Sequence, residues 1–375
     1  MDAVLQICSR DGFVLVQNED ARGLDPLLVF DAPSDGTFIV RTFAFPSQPN
    51  STIAFAGAEN YVYRLTVTTG AVLDHTLPLS LRADEPTEVR LFGWNLADAA
   101  GQTIAPRAAG EFAAVFHPEA AGTLRLPVLS LPNLVAGDES SPAAPQSVEW
   151  PVVVSGRIES PGDTDAFRIR AAKGQKLSAR IESRAFGFPL DAVLQIADVA
   201  GAVLAEVDDV SSERDPVLNY TIPADAEYDV RVRDLHDRGG LRYVYRLTIG
   251  EPTPGFELTL ANDAFVLKPG EPLEIPVTIL RQNGFAEDVE IMAADLPPGV
   301  SAEPAISLGK GDSAKGVKLI LGSTGTSASG AFRVVGRVTE PQSITRYARF
   351  PIKDVGATHD RAWLTVLTAT DTPRE

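Results

Sequence analysis

The chain has 375 residues, a net charge of −17 and an isoelectric point near 4.7. That length accommodates about two to four domains, and a negative balance of that size repels nucleic acid and anionic membrane surfaces while favouring solubility and cation binding. A single cysteine, Cys8, excludes an intrachain disulfide and a thiolate metal cluster, and no apolar run approaches a membrane span.

Residues 1–70 open on Asp2-Ala-Val-Leu-Gln-Ile7, and the same six residues return as Asp191-Ala-Val-Leu-Gln-Ile196. The two copies then run in step. Gly12 matches Gly201, and Glu19-Asp20 matches Asp208-Asp209. After one residue of slippage, Asp25-Pro26 matches Asp215-Pro216, Pro33 matches Pro223, and Val40-Arg41 matches Val230-Arg231. Both close alike, on Tyr61-Val-Tyr-Arg-Leu-Thr-Val67 and Tyr243-Val-Tyr-Arg-Leu-Thr-Ile249. Self-similarity over this length means one supersecondary unit used twice. The first copy lacks the strands that precede the hexapeptide in the second. It is therefore expected to expose core side chains such as Val4 and Leu5 beside an unpaired strand edge, and to be the least stable part of the chain. No signal peptide follows Met1. Because the chain starts inside a domain, any export signal is expected upstream.

Residues 71–132 form a second small unit. Glu88-Val-Arg-Leu-Phe-Gly-Trp-Asn-Leu96 reads as a strand and turn, and Leu124, Leu126 and Val128 alternate later. Residues 133–150 contain Gly137-Asp-Glu-Ser-Ser-Pro-Ala-Ala-Pro145, a linker or extended edge. Residues 151–250 are the complete copy. Phe167 and Ile169 alternate with Arg168 and Arg170; Leu177, Ala179 and Ile181 with Ser178, Arg180 and Glu182; Tyr228, Val230 and Val232 with Asp229, Arg231 and Arg233. Period two places one set inward and the other outward. Turn residues such as Pro161-Gly-Asp163, Lys173-Gly174 and Gly239-Gly240 separate the runs. Glu251-Pro-Thr-Pro-Gly255 is a stiff boundary, and residues 256–367 form another sandwich in which Leu273, Ile275, Val277 and Ile279 alternate. Residues 368–375 are a polar tail. The expected fold is all-β, tandem antiparallel sandwiches with essentially no helix.

Residues 150–250 resemble a bacterial pre-peptidase C-terminal domain. The resemblance rests on Gly156-Arg-Ile158, Gly162-Asp-Thr-Asp-Ala-Phe167, Gly174-Gln-Lys-Leu177, Leu190-Asp191, Asp208-Asp209, Asp215 and Tyr243-Val-Tyr-Arg-Leu247. It covers one whole domain and about two thirds of another. It implies a small jelly-roll-like sandwich of secreted bacterial proteins, an accessory module of which some relatives bind calcium and an extracellular polymer such as collagen. Residues 71–132 resemble small immunoglobulin-like domains of the transcription-factor type. Residues 256–367 resemble immunoglobulin-like domains of bacterial cell-surface proteins.

Catalytic chemistry is hard to place. There is no G-x-S-x-G, and Gly325-Thr-Ser-Ala-Ser-Gly330 has the wrong spacing; H-E-x-x-H, the P-loop and a strand-coupled G-x-G-x-x-G are also missing from the sequence. A lone Cys8 reads as a small buried apolar residue. His75, His117, His236 and His359 are scattered, and Trp94, Trp150 and Trp363 form no stripe. The candidates are carboxylates: Asp163 and Asp165, Asp208 and Asp209, with Glu206 nearby. Oxygen ligands from separate loops suit calcium. The competing reading is that each is a turn residue bonding local backbone N–H groups. The functional expectation is a non-catalytic, exported, modular protein, a spacer or adhesion module for extracellular protein or polysaccharide. The alternatives are an accessory region of a secreted hydrolase and a divergent enzyme using acidic loops.

Overall fold

The structure, a computed structural model, describes residues 2–19, 21, 25–45, 55–57, 59, 61–96, 101–137, 139–209, 215–323, 329–340, 344–351 and 358–367. It is all-β: the helical elements among these residues are two single 3₁₀ turns, Arg184–Phe186 and Asp312–Ala314. Two compact units divide the chain, Asp2–Pro252 and Thr253–Glu375. The polar tail 368–375 lies outside the described residues.

The first unit begins with β1 (Asp2–Cys8), β2 (Val14–Asn18) and β3 (Ile39–Phe45), in the order β2-β1-β3. Next come β4 (Ala71–Leu77), β5 (Leu81–Arg82), β6 (Thr87–Trp94), β7 (Gly101–Ile104), β8 (Phe112–Phe116), β9 (Ala120–Ala121) and β10 (Thr123–Leu129). They form two small sheets, β7-β6-β4-β9 and β5-β10-β8, around Leu73, Val89, Val115, Leu126 and Val128.

The complete sandwich follows: β11 (Asn133–Val135), β12 (Gln146–Ser147), β13 (Val152–Arg157), β14 (Thr164–Ala171), β15 (Lys176–Glu182), β16 (Ala192–Asp198), β17 (Val203–Val207), β18 (Val217–Thr221), β19 (Ala226–Asp234) and β20 (Val244–Gly250). Its two five-stranded sheets are β11-β13-β20-β15-β18 and β12-β14-β19-β16-β17. The period-two runs land as their alternation requires: Phe167, Ile169, Leu177, Ala179, Ile181, Tyr228, Val230 and Val232 all enter one buried cluster. Residues 133–147 are not a free linker, because β11 and β12 add an edge strand to each sheet.

The repeat is a repeat of structure. β1, β2 and β3 take the places of β16, β17 and β19, and Leu5 faces Thr42 as Leu194 faces Val232. The same bulge recurs, between Ile7 and Cys8 and between Ile196 and Ala197. Gln6 bonds Gln17 as Gln195 bonds Glu206, and Arg41 donates to the Gly12 carbonyl as Arg231 does to Gly201.

The copies part where a strand's neighbour is missing. Residues 61–67 repeat β20 in sequence but are irregular and mostly exposed. β20 owes its hydrogen bonds to β13 and β15, which have no counterpart among the described residues of the first copy. Residues 27–30 match β18 and are likewise irregular, since among the described residues β18 pairs with β15 alone. The expectation of exposed Val4 is corrected. Val4 is fully buried, opposite Phe43, whose ring meets Phe45 and Phe55 at 5.5 and 5.0 Å. Leu5, on the other face, is half-buried where Leu194 is fully buried.

The second unit comprises β21 (Gly255–Thr259), β22 (Ala264–Leu267), β23 (Leu273–Gln282), β24 (Val289–Ala294), β25 (Val300–Glu303), β26 (Ala305–Ser307), β27 (Gly316–Ser323), β28 (Gly330–Val338), β29 (Ile344–Tyr347), β30 (Phe350–Pro351), β31 (Thr358–His359) and β32 (Ala362–Val366). Sheet β21-β23-β27-β25 packs on β22-β32-β28-β24-β26 through Ile275, Val277, Leu319, Phe332 and Leu364.

Truncating a buried leucine to alanine costs about 2–5 kcal/mol. Leu194→Ala should fall in that range, and the equivalent Leu5→Ala clearly below it. Urea unfolding of the 375-residue variants checks this; equal losses would show that both copies are packed alike.

Candidate functional site

The four candidate aspartates lie at one end of one sheet. Asp163 precedes β14, Asp165 is its second residue, and Asp208 and Asp209 follow β17. In the order β14-β19-β16-β17 the two pairs are three strand spacings apart, about 14 Å. One ion, with oxygen ligands at about 2.3–2.6 Å, cannot join them. Among the described residues no three His, Cys, Asp or Glu converge at metal-ligand geometry. Local bonds occupy the candidates. Asp163 accepts the Glu159 N–H (2.8 Å), and Asp208 accepts that of Asp209 (2.7 Å).

Asp165 is different. It is buried and accepts a hydrogen bond from the Tyr245 hydroxyl. Gly156 faces Tyr245 across β13 and β20, and a Cβ there would lie 2.3 Å from the tyrosine oxygen, so only glycine admits this ring. Burial raises the Asp165 carboxyl to about 7; the tyrosine bond opposes the rise, while Asp163 and Glu159 add to it. Burial likewise lifts Tyr245 well above its ordinary value.

A second buried polar group joins the small β4–β10 unit to the complete sandwich. A bulge in β4 between Leu73 and His75 lets the neighbours Asp74 and His75 meet, with His75 Nδ1 and Asp74 Oδ2 3.0 Å apart. From the sandwich, Arg242 donates to Asp74 (3.2 Å) and to the Gly187 carbonyl (3.1 Å). The His75 ring stacks on Phe92 at 5.0 Å and meets the edge of Phe188 at 5.7 Å. Leu77, Leu79, Phe188 and Val244 close an apolar cluster around them. The Leu79 N–H donates to Ser155 Oγ (2.9 Å). Asp215 positions Phe188 from a distance: its carboxylate accepts the N–H groups of Ser183, Arg184 and Ala185, and so holds the 3₁₀ turn that leads to it. Burial holds His75 below its ordinary value, against the pull of Asp74, so the ring is neutral at pH 7.

Sequence reasoning missed this junction. Adjacent polar residues in a strand read as opposite faces, and only a bulge turns Asp74 and His75 together. The one available signal was a polar Asp-His-Thr run inside an otherwise apolar strand.

Two cavities flank the junction. One, of about 220 Å³, is walled by Leu124, Pro127, Phe186 and Phe188 with Asp74 and Arg242. The other, of about 300 Å³, gathers Arg90, Arg157, Glu159 and Asp165 beside Phe92. Only the second reaches the lower end of the 300–1,000 Å³ range typical of small-molecule sites. Arg157 pairs with Glu159 at 2.7 Å, and the guanidinium groups of Arg90 and Arg157 lie 5.4 and 5.1 Å from the Phe92 ring centre. Mixed charge around one aromatic wall suits a polar, hydrogen-bonding ligand. The other histidines serve local structure: His117 and His359 accept backbone N–H groups, and His236 lies 3.5 Å from Asp191.

The sequence matches no family model, and no curated protein matches it. Among solved structures the chain is similar to the M60 catalytic domain with the CBM51-1 and CBM51-2 domains of ZmpB from Clostridium perfringens. The identity is 11% and the TM-score 0.19, over 74% of this chain and 27% of that one. A likeness at that score carries no argument about fold or activity.

The raised Asp165 pKa sets a pH dependence. The protonated acid is favoured in the folded state, so its contribution is complete below the ordinary value near 3.8 and is lost as pH rises through about 7. At about 1.4 kcal/mol per pH unit the loss is at most about 4 kcal/mol. Asp165→Asn keeps an acceptor for Tyr245 and should flatten the fall in stability between pH 4 and pH 8. Parallel wild-type and variant curves from urea unfolding would contradict this assignment.

Proposed function

We infer that the chain is a non-catalytic, exported, modular binding protein, whose sandwiches act as spacers and adhesion modules for extracellular protein or polysaccharide. The observation that carries this reading is the roughly 300 Å³ cleft beside Phe92. There Arg90, Arg157, Glu159 and Asp165 offer donors and acceptors around one aromatic wall. The polar groups within it bond to structural partners: Arg157 to Glu159, and Asp165 to Tyr245. Such a site holds a ligand without an activated nucleophile. The same reading takes residues 151–250 as a pre-peptidase C-terminal domain. It is supported by Gly156 beneath Tyr245 and by Asp215 on the 3₁₀ turn, two positions in the resembling pattern. No helix among the described residues is long and apolar enough to cross a membrane.

Arg90 is exposed and touches the protein mainly through the Phe92 ring, so Arg90→Glu should preserve the fold. Affinity electrophoresis through gels containing neutral or acidic polysaccharides, with solid-phase binding to collagen, tests the proposal. The chain should be retained by at least one polymer, and Arg90→Glu should weaken retention about tenfold or more without change in the circular dichroism. Retention by none, or hydrolysis of any polymer by the pure chain, would overturn it.

A further inference from the structure

One polar atom of the junction is left without a protein partner. Among the described residues no hydrogen-bonding group reaches His75 Nε2, although the residue is only 1% exposed. A buried polar atom in that position is costly and asks for an occupant beside it. Its chemical character follows from its neighbours. Asp74 stands 3.0 Å from His75 Nδ1 and accepts from Arg242 at 3.2 Å, and a carboxylate only accepts. Nδ1 therefore carries the ring proton. The ring is neutral at pH 7, because burial above all, with the guanidinium groups of Arg157 and Arg242, outweighs Asp74. Nε2 is thus a bare lone pair, an acceptor that needs a donor. The Asp74 bond and the stack on Phe92 hold the ring in place.

His75 lines the smaller junction cavity, of about 220 Å³, and does not line the cleft beyond Phe92. That volume is too small for a drug-sized molecule, yet it exceeds the cavity of about 150 Å³ that takes up benzene. Leu79, Leu124 and Pro127 give it apolar walls, Phe186 and Phe188 two rings, and Arg125 and Arg242 two cations. Both guanidinium groups already lie over aromatic faces, Arg125 4.9 Å from the Phe112 ring centre and Arg242 5.7 Å from that of Phe188. Cations at an apolar slot favour an aromatic ring over a saturated one. An anion fits poorly, because Asp74 also lines the cavity and already neutralises Arg242, and a bare Nε2 repels a second acceptor.

We propose that this cavity binds a small neutral molecule of the phenol class, a single aromatic ring whose hydroxyl donates to His75 Nε2. A phenolic hydroxyl ionises only near about pH 10 and so keeps its proton at neutral pH. A buried acceptor discriminates against a ligand of the same shape that lacks the donor. The cavity is separate from the cleft beside Phe92, and its ligand stands whether or not a polymer binds there.

Titration of the full chain with phenol, followed by calorimetry and by nitrogen NMR of the histidine side chains, tests this. Phenol should bind saturably at millimolar concentration and shift the His75 Nε2 signal, while the signals of His117, His236 and His359 stay in place. Anisole keeps the ring and the oxygen but has no donor, and cyclohexanol keeps the donor without the aromatic face; each should bind about tenfold or more weaker. His75→Phe keeps a ring against Phe92 and removes the acceptor, so phenol and anisole should come within about twofold of each other. If that variant does not fold, the NMR shift in the unaltered chain decides alone. Absence of a saturable His75 shift, equal affinity for phenol and either analogue, or a preference for phenol over anisole that survives in folded His75→Phe would overturn the proposal.

Discussion

A β-strand persists only where a neighbour takes up its backbone hydrogen bonds, and the contrast between the two copies follows from that constraint. β1, β2 and β3 pair with one another and keep the register and even the bulge of β16, β17 and β19. Residues 61–67 share nearly every side chain with 243–249, yet one segment is irregular and the other is the central strand β20. The difference lies in β13 and β15. Unpaired N–H and C=O groups that cannot be buried must stay in water, so the segment without neighbours remains at the surface. Side-chain alternation is necessary for a strand here but does not suffice.

Buried and half-buried carboxylates carry much of the remaining architecture. Asp234 accepts the N–H groups of Asp191, His236 and Arg238 and so closes one end of β19 onto the start of β16. Asp215 holds the turn that delivers Phe188, and Asp74 receives Arg242 from the neighbouring sandwich. Asp229 is covered by Arg168 and Arg231, 2.8 and 3.6 Å away. Such pairs add little net stability, but breaking one strands a buried charge at about 3–5 kcal/mol. Their role is positional. They hold turns and neighbouring strands in register, and Asp74 with Arg242 also lines the smaller cavity at the junction.

The fold class was legible because alternation in β14, β15, β19 and β23 is strict and Gly- or Pro-containing turns separate the runs. The repeat was legible because identity at the hexapeptide and at Gly12, Pro33 and Arg41 falls on turn and register positions. Three features were hidden. For residues 133–150 the sequence left open a linker or an extended edge, because strands of two or three residues, β12 and β11, are too short to show a period. Val4 looked exposed because its cross-strand neighbour, Phe43, comes from within the first copy itself. The junction was invisible because a bulge reverses the facing of Asp74, and because Arg242 lies 168 positions away in sequence. Spacing alone could not place the candidate aspartates: Asp163, Asp208 and Asp209 sit in turns, Asp165 is buried within β14, and the two pairs stand on strands that the sheet order keeps apart.

The central claim is that residues 61–67 are irregular because no strand pairs with them among the described residues, and not because of their own sequence. Fusing residues 150–190, which hold β13, β14 and β15, ahead of Asp2 supplies those partners in the order in which the complete copy has them. Amide hydrogen exchange at 61–67 then measures the claim directly. The account predicts that protection there rises from near zero to the level of 243–249 in the same molecule. A fused segment that is itself protected while 61–67 stays unprotected would contradict it.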